Sequence, residues 1–397
     1  MTAPERIFIT GIGSISPLGK NTGEMWHALV NHDSRPHLRQ DQGFDLGAMK
    51  NRLCYPVSRQ DGSWPQQSTT TAFALAAARE ALASAKIDNL ADMTIGVGVG
   101  TGAGDSDVAE SFRTERGPNE PITDRDIPYG VAERIAQALH CEGPAFNLSN
   151  ACSASLYACA YAAELLQAGC ADAILVIGAE SVGRVTQAAM ERMGALDTEY
   201  CRPFDALRSG TMLGEGAAAL LLEPASSALR RGAPIFGELK AYATNCDAHH
   251  PTAPRADGAA AEAVARLALA RAGVDAAAID VIIPHGTGTP MNDRTEGAML
   301  RRVFGTALDT IPICPIKSKL GHGGGAAGAF SLLAGLLIMR DNVIPPIFNR
   351  RSFVPDSDLQ FVWGESSTRA VRNALVNAYA FGGNNISMVI GAAGAPA

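Results

Sequence analysis

Excess positive charge, long apolar runs and paired cysteines are all missing from this chain of 397 residues. Lysine and arginine number 33 against 40 acids, a net charge of -7, which argues against a nucleic-acid binder held by bulk positive charge. No stretch reaches the roughly 18 consecutive apolar residues of a membrane span. The greasiest, Ala326 to Met339, is short and rich in Gly and Ala. Met1 to Ile9 lacks the apolar core of a secretory signal, so the expected location is the cytoplasm. The 8 cysteines are widely spaced without a CxxC pair, which speaks against a disulfide framework or a zinc site, and no metal is expected. Only 18% of residues are charged and 47% are hydrophobic. That balance excludes bulk disorder and requires a large core, an extensive subunit interface, or both.

What is present is an alternation of buried-strand and helix patterns. Strands are expected at Arg6–Thr10, Met93–Gly100, Ala145–Ser149, Ala173–Gly178 and Gly216–Leu222. In the second half they are expected at Ile279–Pro284, Ile311–Ile316, Asn373–Tyr379 and Ile386–Gly391. Helical spacing falls between them, at Asn21–Asn31, Thr71–Lys86, Pro128–Leu139 and Ser153–Ala168, then at Ala259–Ala272, Arg294–Phe304 and Ala326–Arg340. Gly11–Gly19 reads as a loop, 36–65 as irregular, and 106–126 as a surface excursion. The pattern implies an α/β architecture with buried sheets. Each half carries a reactive-looking loop after a strand, which hints at duplication, although no sequence repeat is visible. Flexible Gly/Ser linkers are absent, so one compact body is expected.

Four Gly-rich loops hold groups with chemistry. Cys152, in SNACSAS, lies where a strand turns into a helix, and a helix N-terminus favours thiolate. The competing reading is a packed small residue, which suits Cys159 better. His285, in PHGTGTP, follows an apolar strand, at the kind of edge where α/β folds place their sites, and Thr287 and Thr289 add hydroxyls. A structural histidine is the alternative. Lys317 and His322, in KSKLGHGGGAAG, precede another small-residue helix; Lys comes before the glycines, so the P-loop order fails. Phe381 precedes a Gly-Gly turn in NAYAFGGNN, either a plain hairpin or an aromatic that swings beside a cavity. Together one thiol, two imidazoles and one amine suit carbon–carbon chemistry on thioesters. The thiol takes an acyl group and the imidazoles stabilise an enolate.

At these residues the chain resembles the elongating β-ketoacyl-acyl-carrier-protein synthases, the condensing enzymes of fatty-acid and polyketide synthesis. RIFITGIGSISPLG, NACSAS, GAES, CRPFDALRSG, GEGAAALLLE, HGTGTPMNDRTE, KSKLGHGGGAAG and NAYAFGGNN resemble family blocks in order over nearly the whole chain. The resemblance implies a thiolase-like five-layer αβαβα fold of two duplicated halves, here 1–235 and 236–397, and a dimer. It implies Cys152 as the acylated nucleophile, with His285 and His322 serving decarboxylation and condensation. Lys317 would organise the histidines, with Asp293 and Glu296 beside it. Phe381 would be the gate, its N–H forming the acyl oxyanion hole with that of Cys152. Thr252, Thr287 and Thr289 would line the phosphopantetheine arm. Substrates would arrive on acyl carrier protein and no separate cofactor would be needed.

Several positions depart from the family. Asn150 stands where many relatives have Thr, Ser331 where a Glu is usual, Ser209 where an Asp is common, and Gly323 and Gly324 where larger residues are usual. No Lys or Arg occurs in Asp61–Thr71, and Arg125-Asp126 replaces larger apolar residues. These departures lead to the expectation of a shorter or more polar acyl pocket, or of a different partner subunit, with a tilt toward a specialised pathway. A silent chain-length-factor subunit would lack the Cys, a coenzyme A thiolase would carry a second Cys in the C-terminal turn, and an initiating enzyme would pair one His with Asn. A non-condensing acyltransferase stays open, as does the choice between homodimer and heterodimer.

Overall fold

The computed structural model describes residues 5–347 and 358–392, apart from 33, 39–48, 59–69, 88, 107, 110–120 and 122–126. Its strands are β1 (Ile7–Ile15), β2 (His37–Leu38), β3 (Leu53–Cys54), β4 (Ile95–Gly100), β5 (Ala145–Leu148), β6 (Ala173–Glu180), β7 (Gly216–Pro224) and β8 (Gly237–Cys246). The rest are β9 (Val281–Ile283), β10 (Pro312–Ile313), β11 (Val343–Ile344), β12 (Gln360–Phe361), β13 (Ser367–Thr368), β14 (Asn373–Ala380) and β15 (Asn384–Gly391).

One sheet of 11 strands runs in the order β12-β10-β9-β14-β15-β8-β1-β7-β6-β4-β5. From its middle, β1-β7-β6-β4-β5 leads one way and β8-β15-β14-β9-β10 the other. Both series have the same sense: two antiparallel pairings, then two parallel ones. The halves are therefore topological copies, which sequence similarity did not reveal. Within the sheet β1 pairs with β8, at Ile7 with Leu239, Phe8 with Glu238 and Ile9 with Gly237.

Helices Ala154–Gln167 and Ala327–Asp341 lie between the halves and share one core with both. The second is apolar nearly all round, as a helix enclosed on every side must be. Each of its buried leucines contributes about 1.5–3 kcal/mol by transfer from water. The two helices approach closely. A Cβ on Gly328 would lie 2.6 Å from Leu156 Cγ. Ser155 Oγ accepts from the Ala329 N–H at 2.9 Å. Helices Thr70–Ser84 and Val131–Leu139 cover the outer face of the first half, and Ala259–Ala272 and Pro290–Phe304 that of the second. The layers are thus αβαβα, as the resemblance implied.

Differences from the expected elements have physical causes. β1 runs straight through Gly11 and Gly13, which read as a loop. These glycines let helix Thr70–Ser84 touch the strand backbone: added Cβ atoms would sit 2.3 Å from Ala81 O and 2.1 Å from Ala77 O. β8, ten residues with a charged and half-exposed pattern, was not expected at all. Neither was helix Arg184–Arg192, whose residues are mostly polar. Helix Pro290–Phe304 starts four residues before the expected Arg294, with Thr289 at its N-cap and proline in its first turn. The strands at 281–283 and 312–313 are shorter than expected. Most of Asp61–Thr71, and Arg125 with Asp126, lie outside the described residues. Among the described residues no helix is long and apolar enough to cross a membrane.

Candidate active site

Loops leaving the strand ends build the site. Cys152 follows β5, His285 follows β9, Lys317 and His322 follow β10, and Phe381 follows β14. β5 and β10 occupy equivalent places in the two halves, so the thiol and His322 each stand on the turn into a central helix. Cys152, His285, His322 and Phe381 line one open cavity.

The turn before Cys152 is held in an unusual conformation. Ala151 has φ of 52°, a left-handed backbone that costs a non-glycine residue about 1–2 kcal/mol. A 3-10 turn, Ala151–Ser153, then leads into the helix. The thiol is half-buried, open to the cavity and enclosed by protein elsewhere. Burial pushes its pKa up to about 11; Lys317 lowers it and Glu180 raises it. The expectation that the helix terminus would favour thiolate is therefore reversed. A helix dipole supplies at most about 2 kcal/mol, and desolvation outweighs it here.

The rings of His285 and His322 lie edge to face, 5.6 Å between centroids. Both are buried and neutral. Burial, and then the positive charge of Lys317, lowers His322 to about 3 and holds His285 well below the usual histidine range. In each ring Nδ1 is enclosed without a hydrogen-bond partner. A buried N–H without a partner is rarer than an under-satisfied acceptor, so we assign the proton to Nε2, on the cavity side. Both rings then offer neutral N–H donors. Tyr379 stacks edge-on against His285 at 6.0 Å.

The remaining charges hold the loops. The buried Lys317 Nζ donates to the His285 carbonyl. Glu296 accepts from the N–H groups of His285 and Gly286, each at 2.8 Å. His285 is thus gripped from both sides of its peptide. Burial pushes Glu296 up to about 7 and Lys317 down, and the attraction between them opposes both shifts. Asp293 accepts from Phe204 N at 2.7 Å, Thr287 N at 3.1 Å and Gly288 N at 3.2 Å. Asp293 and Glu296 therefore stand behind the cavity rather than on its wall.

Thr252, Thr287 and Thr289 line the cavity, and the hydroxyls of the last two are 2.8 Å apart. Phe381 opens a short turn in which Gly382 has φ of 81° and donates to Pro251 O at 2.7 Å. The wall also contains His250, Met190, Tyr379 and Asn385, which sequence reasoning did not single out. His250 had a visible signal, standing two residues before Thr252. Asn385 Nδ2 donates to Asp247 at 2.7 Å, a contact between distant strands that no local pattern could show.

The departures find new settings. Ser331 is buried on the central helix, and Glu296, with Asp293 behind it, supplies the negative charge near Lys317. Ser209 donates through N and Oγ to Asp197, at 3.1 and 3.0 Å. Asn150 Oδ1 is buried without a partner. Ligand atoms of Cys152, His285 and His322 lie within 4.8 Å of one another, a soft-metal donor set hidden by wide sequence spacing. The nearby Lys317 charge, which disfavours protons on both imidazoles, acts against a dication in the same way.

Comparison with known proteins places this geometry. The beta-ketoacyl synthase N-terminal domain family matches residues 4–228, and the C-terminal domain family matches 236–351. The chain is 31% identical to the 3-oxoacyl-[acyl-carrier-protein] synthase 2 of Synechocystis sp., over 97% of each chain. It is 31% identical to the tetracenomycin polyketide synthase ketoacyl synthase alpha subunit of Streptomyces glaucescens, over 98% of this chain and 97% of that one. The solved ishigamide ketosynthase/chain length factor superposes with a TM-score of 0.88 at 34% identity, covering 99% of this chain and 100% of the other. Matches of this extent, joined to a thiol and two neutral imidazoles on duplicated halves, show that the chain belongs to the β-ketoacyl synthase family.

Proposed function

We propose that this chain is an elongating β-ketoacyl-acyl-carrier-protein synthase, which condenses a Cys152-bound acyl group with malonyl carrier protein. The observation that carries the reading is one thiol and two neutral imidazoles gathered within 4.8 Å. In the first half-reaction Cys152 Sγ attacks the acyl thioester. A new S–C bond forms, the carrier C–S bond breaks, and the thiol proton passes to the departing carrier sulfur. In the second, the malonyl C–C bond breaks with loss of CO2. The electron pair becomes an enolate whose oxygen accepts from His285 and His322. The enolate carbon then attacks the acyl carbonyl, whose oxygen is held by the N–H groups of Cys152 and Phe381. A C–C bond forms, the S–C bond to Cys152 breaks, the departing thiolate takes a proton from solvent, and 3-oxoacyl carrier protein leaves.

Neutral donors suit this work. A charged imidazolium would stabilise the malonyl carboxylate in the ground state as well as the enolate, whereas a neutral N–H gains mainly as the oxyanion develops. Lys317, Glu296 and Asp293 hold the donors in place. Thr252, Thr287 and Thr289 line the phosphopantetheine arm, and Phe381 gates the acyl side. Both substrates arrive as carrier thioesters, so the chemistry needs no separate cofactor. We place the chain in the cytoplasm and divide it at 235/236, a division supported by the matching strand order on either side. A specialised polyketide or polyene pathway is slightly preferred over fatty-acid synthesis. Pairing with a ketosynthase-like subunit is the second reading, favoured by the similarity to the ketosynthase/chain length factor.

Intact mass after incubation with a panel of acyl-carrier thioesters tests the reading. The expected result is an acyl adduct that requires Cys152 and disappears on adding malonyl carrier, yielding a longer 3-oxoacyl carrier. An adduct that never responds to malonyl carrier would refute condensation in favour of plain acyl transfer. An adduct formed only after a second subunit is added would favour the paired assembly.

A further inference from the structure

Glu180 is the last residue of β6, buried in a strand whose other seven residues are apolar or glycine. Its carboxylate meets three backbone N–H groups and one hydroxyl. Oε2 accepts from Gly102 N at 2.6 Å and from Gly325 N at 2.7 Å. Oε1 accepts from Ala103 N at 2.9 Å and Thr101 Oγ1 at 3.4 Å. Thr101, Gly102 and Ala103 follow β4, in the half that carries Cys152. Gly325 belongs to the other half, three residues after His322. One carboxylate oxygen therefore bridges the two halves beside the reacting groups.

The surroundings are shaped to this group. Gly324 has φ of 50°, and a Cβ there would lie 2.6 Å from Glu180 Oε2. A Cβ on Gly102 would lie 2.8 Å from the same atom. A Cβ on Gly325 would meet Gly102 N at 2.4 Å. Three side-chain-free residues thus crowd around one acid. Burial pushes the carboxyl up to about 7, and the N–H donors pull it back. Three of its four partners are backbone N–H groups, which can only donate, so the ionised carboxylate suits the cradle best. Nothing in the condensation chemistry uses Glu180 directly.

We propose that Glu180 is a positioning residue for the malonyl half-reaction, pinning the His322 loop to the half of the molecule that bears the nucleophile. The proposal rests on the ketosynthase reading. It separates two steps: acylation needs Cys152 and its own turn, whereas enolate formation needs His322 at the right place. Loss of the pin moves His322 and leaves the thiol on its helix.

The test compares Glu180→Ala, Glu180→Gln and Gly324→Ala in the full chain. Two rates are measured: acyl adduct formation on Cys152 by intact mass, and CO2 release from malonyl carrier protein. Glu180→Ala is expected to lower kcat for CO2 release at least tenfold without slowing acylation, because loss of the carboxylate also removes a charge that raises the Cys152 thiol. In Glu180→Gln the amide oxygen can still accept from Gly102 and Gly325, which span the two halves, while the bond from Ala103 within one half is lost, so CO2 release is expected to stay within threefold. Gly324→Ala keeps the charge, crowds it away from the loop, and is expected to behave like Glu180→Ala; it carries the test if Glu180→Ala does not fold. Equal loss of both rates, or no loss of either, would overturn the proposal. A parent chain that neither acylates nor releases CO2 would overturn the ketosynthase reading together with it.

Discussion

Replacing His322 by glutamine tests whether the donor imidazole is neutral. In the native state burial and Lys317 hold the ring to about 3, whereas an unfolded chain takes up the proton near 6.5. A proton therefore favours the unfolded state. The stabilisation is fully present above 6.5 and is lost as pH falls toward 3. Over that window each pH unit costs about 1.4 kcal/mol, so between pH 7 and pH 5 this one ring costs the native state about 2 kcal/mol. The glutamine of His322→Gln titrates in neither state. Glu180 and Glu296, both raised to about 7, take up protons on folding in part of the same range, but they are common to both proteins and cancel in the difference. Urea unfolding of parent and variant at pH 7 and pH 5 reads the effect. The stability gap between them is expected to shift by about 2 kcal/mol in the variant's favour at the lower pH. An unchanged gap would refute the neutral-donor argument, because His322 would then protonate as readily in the folded chain as in the unfolded one.

Three further outcomes are expected. Cys152→Ala should abolish acyl adducts and condensation while malonyl carrier still loses CO2, since both imidazoles remain; mass spectrometry and CO2 release check the split. Lys317→Met removes the charge that lowers the Cys152 thiol pKa, so the thiol should rise further above about 11 and alkylation by iodoacetamide at fixed pH should slow. Gly13→Ala places a Cβ 2.1 Å from the Ala77 carbonyl, with helix backbone that cannot step aside. Overpacking of this kind costs about 1–3 kcal/mol, measurable as a lowered thermal midpoint.

Much of the architecture was legible because buried elements write strong periodicities. AILVIG could hardly be anything but an enclosed strand, and Ala259–Ala272 appeared with its bounds intact. β8 escaped because its charged and half-exposed residues break the apolar run, although it sits at the centre of the sheet. Gly11 and Gly13 misled for the opposite reason: glycine signals a turn locally, whereas here it answers a helix that lies far along the chain. Among site residues, those on their own Gly-rich loops were visible as loops. Glu180 was quoted only as part of a block, since an acid closing an apolar strand shows no partner until the fold brings Gly102 and Gly325 to it. The thiol's raised pKa was likewise invisible, because desolvation is a property of the surroundings and not of the turn.

The close contact of the central helices has a mechanical consequence. Cys152 rides at the head of one helix and His322 just ahead of the other, so the gap between nucleophile and donor is set by how far apart these two rods stand. Gly328 against Leu156, and the Ser155–Ala329 hydrogen bond, act as the spacer in that gauge. A methyl group added at Gly328 would be felt first as a wider working distance at the cavity, through leverage along the helices, with no change to any reacting atom.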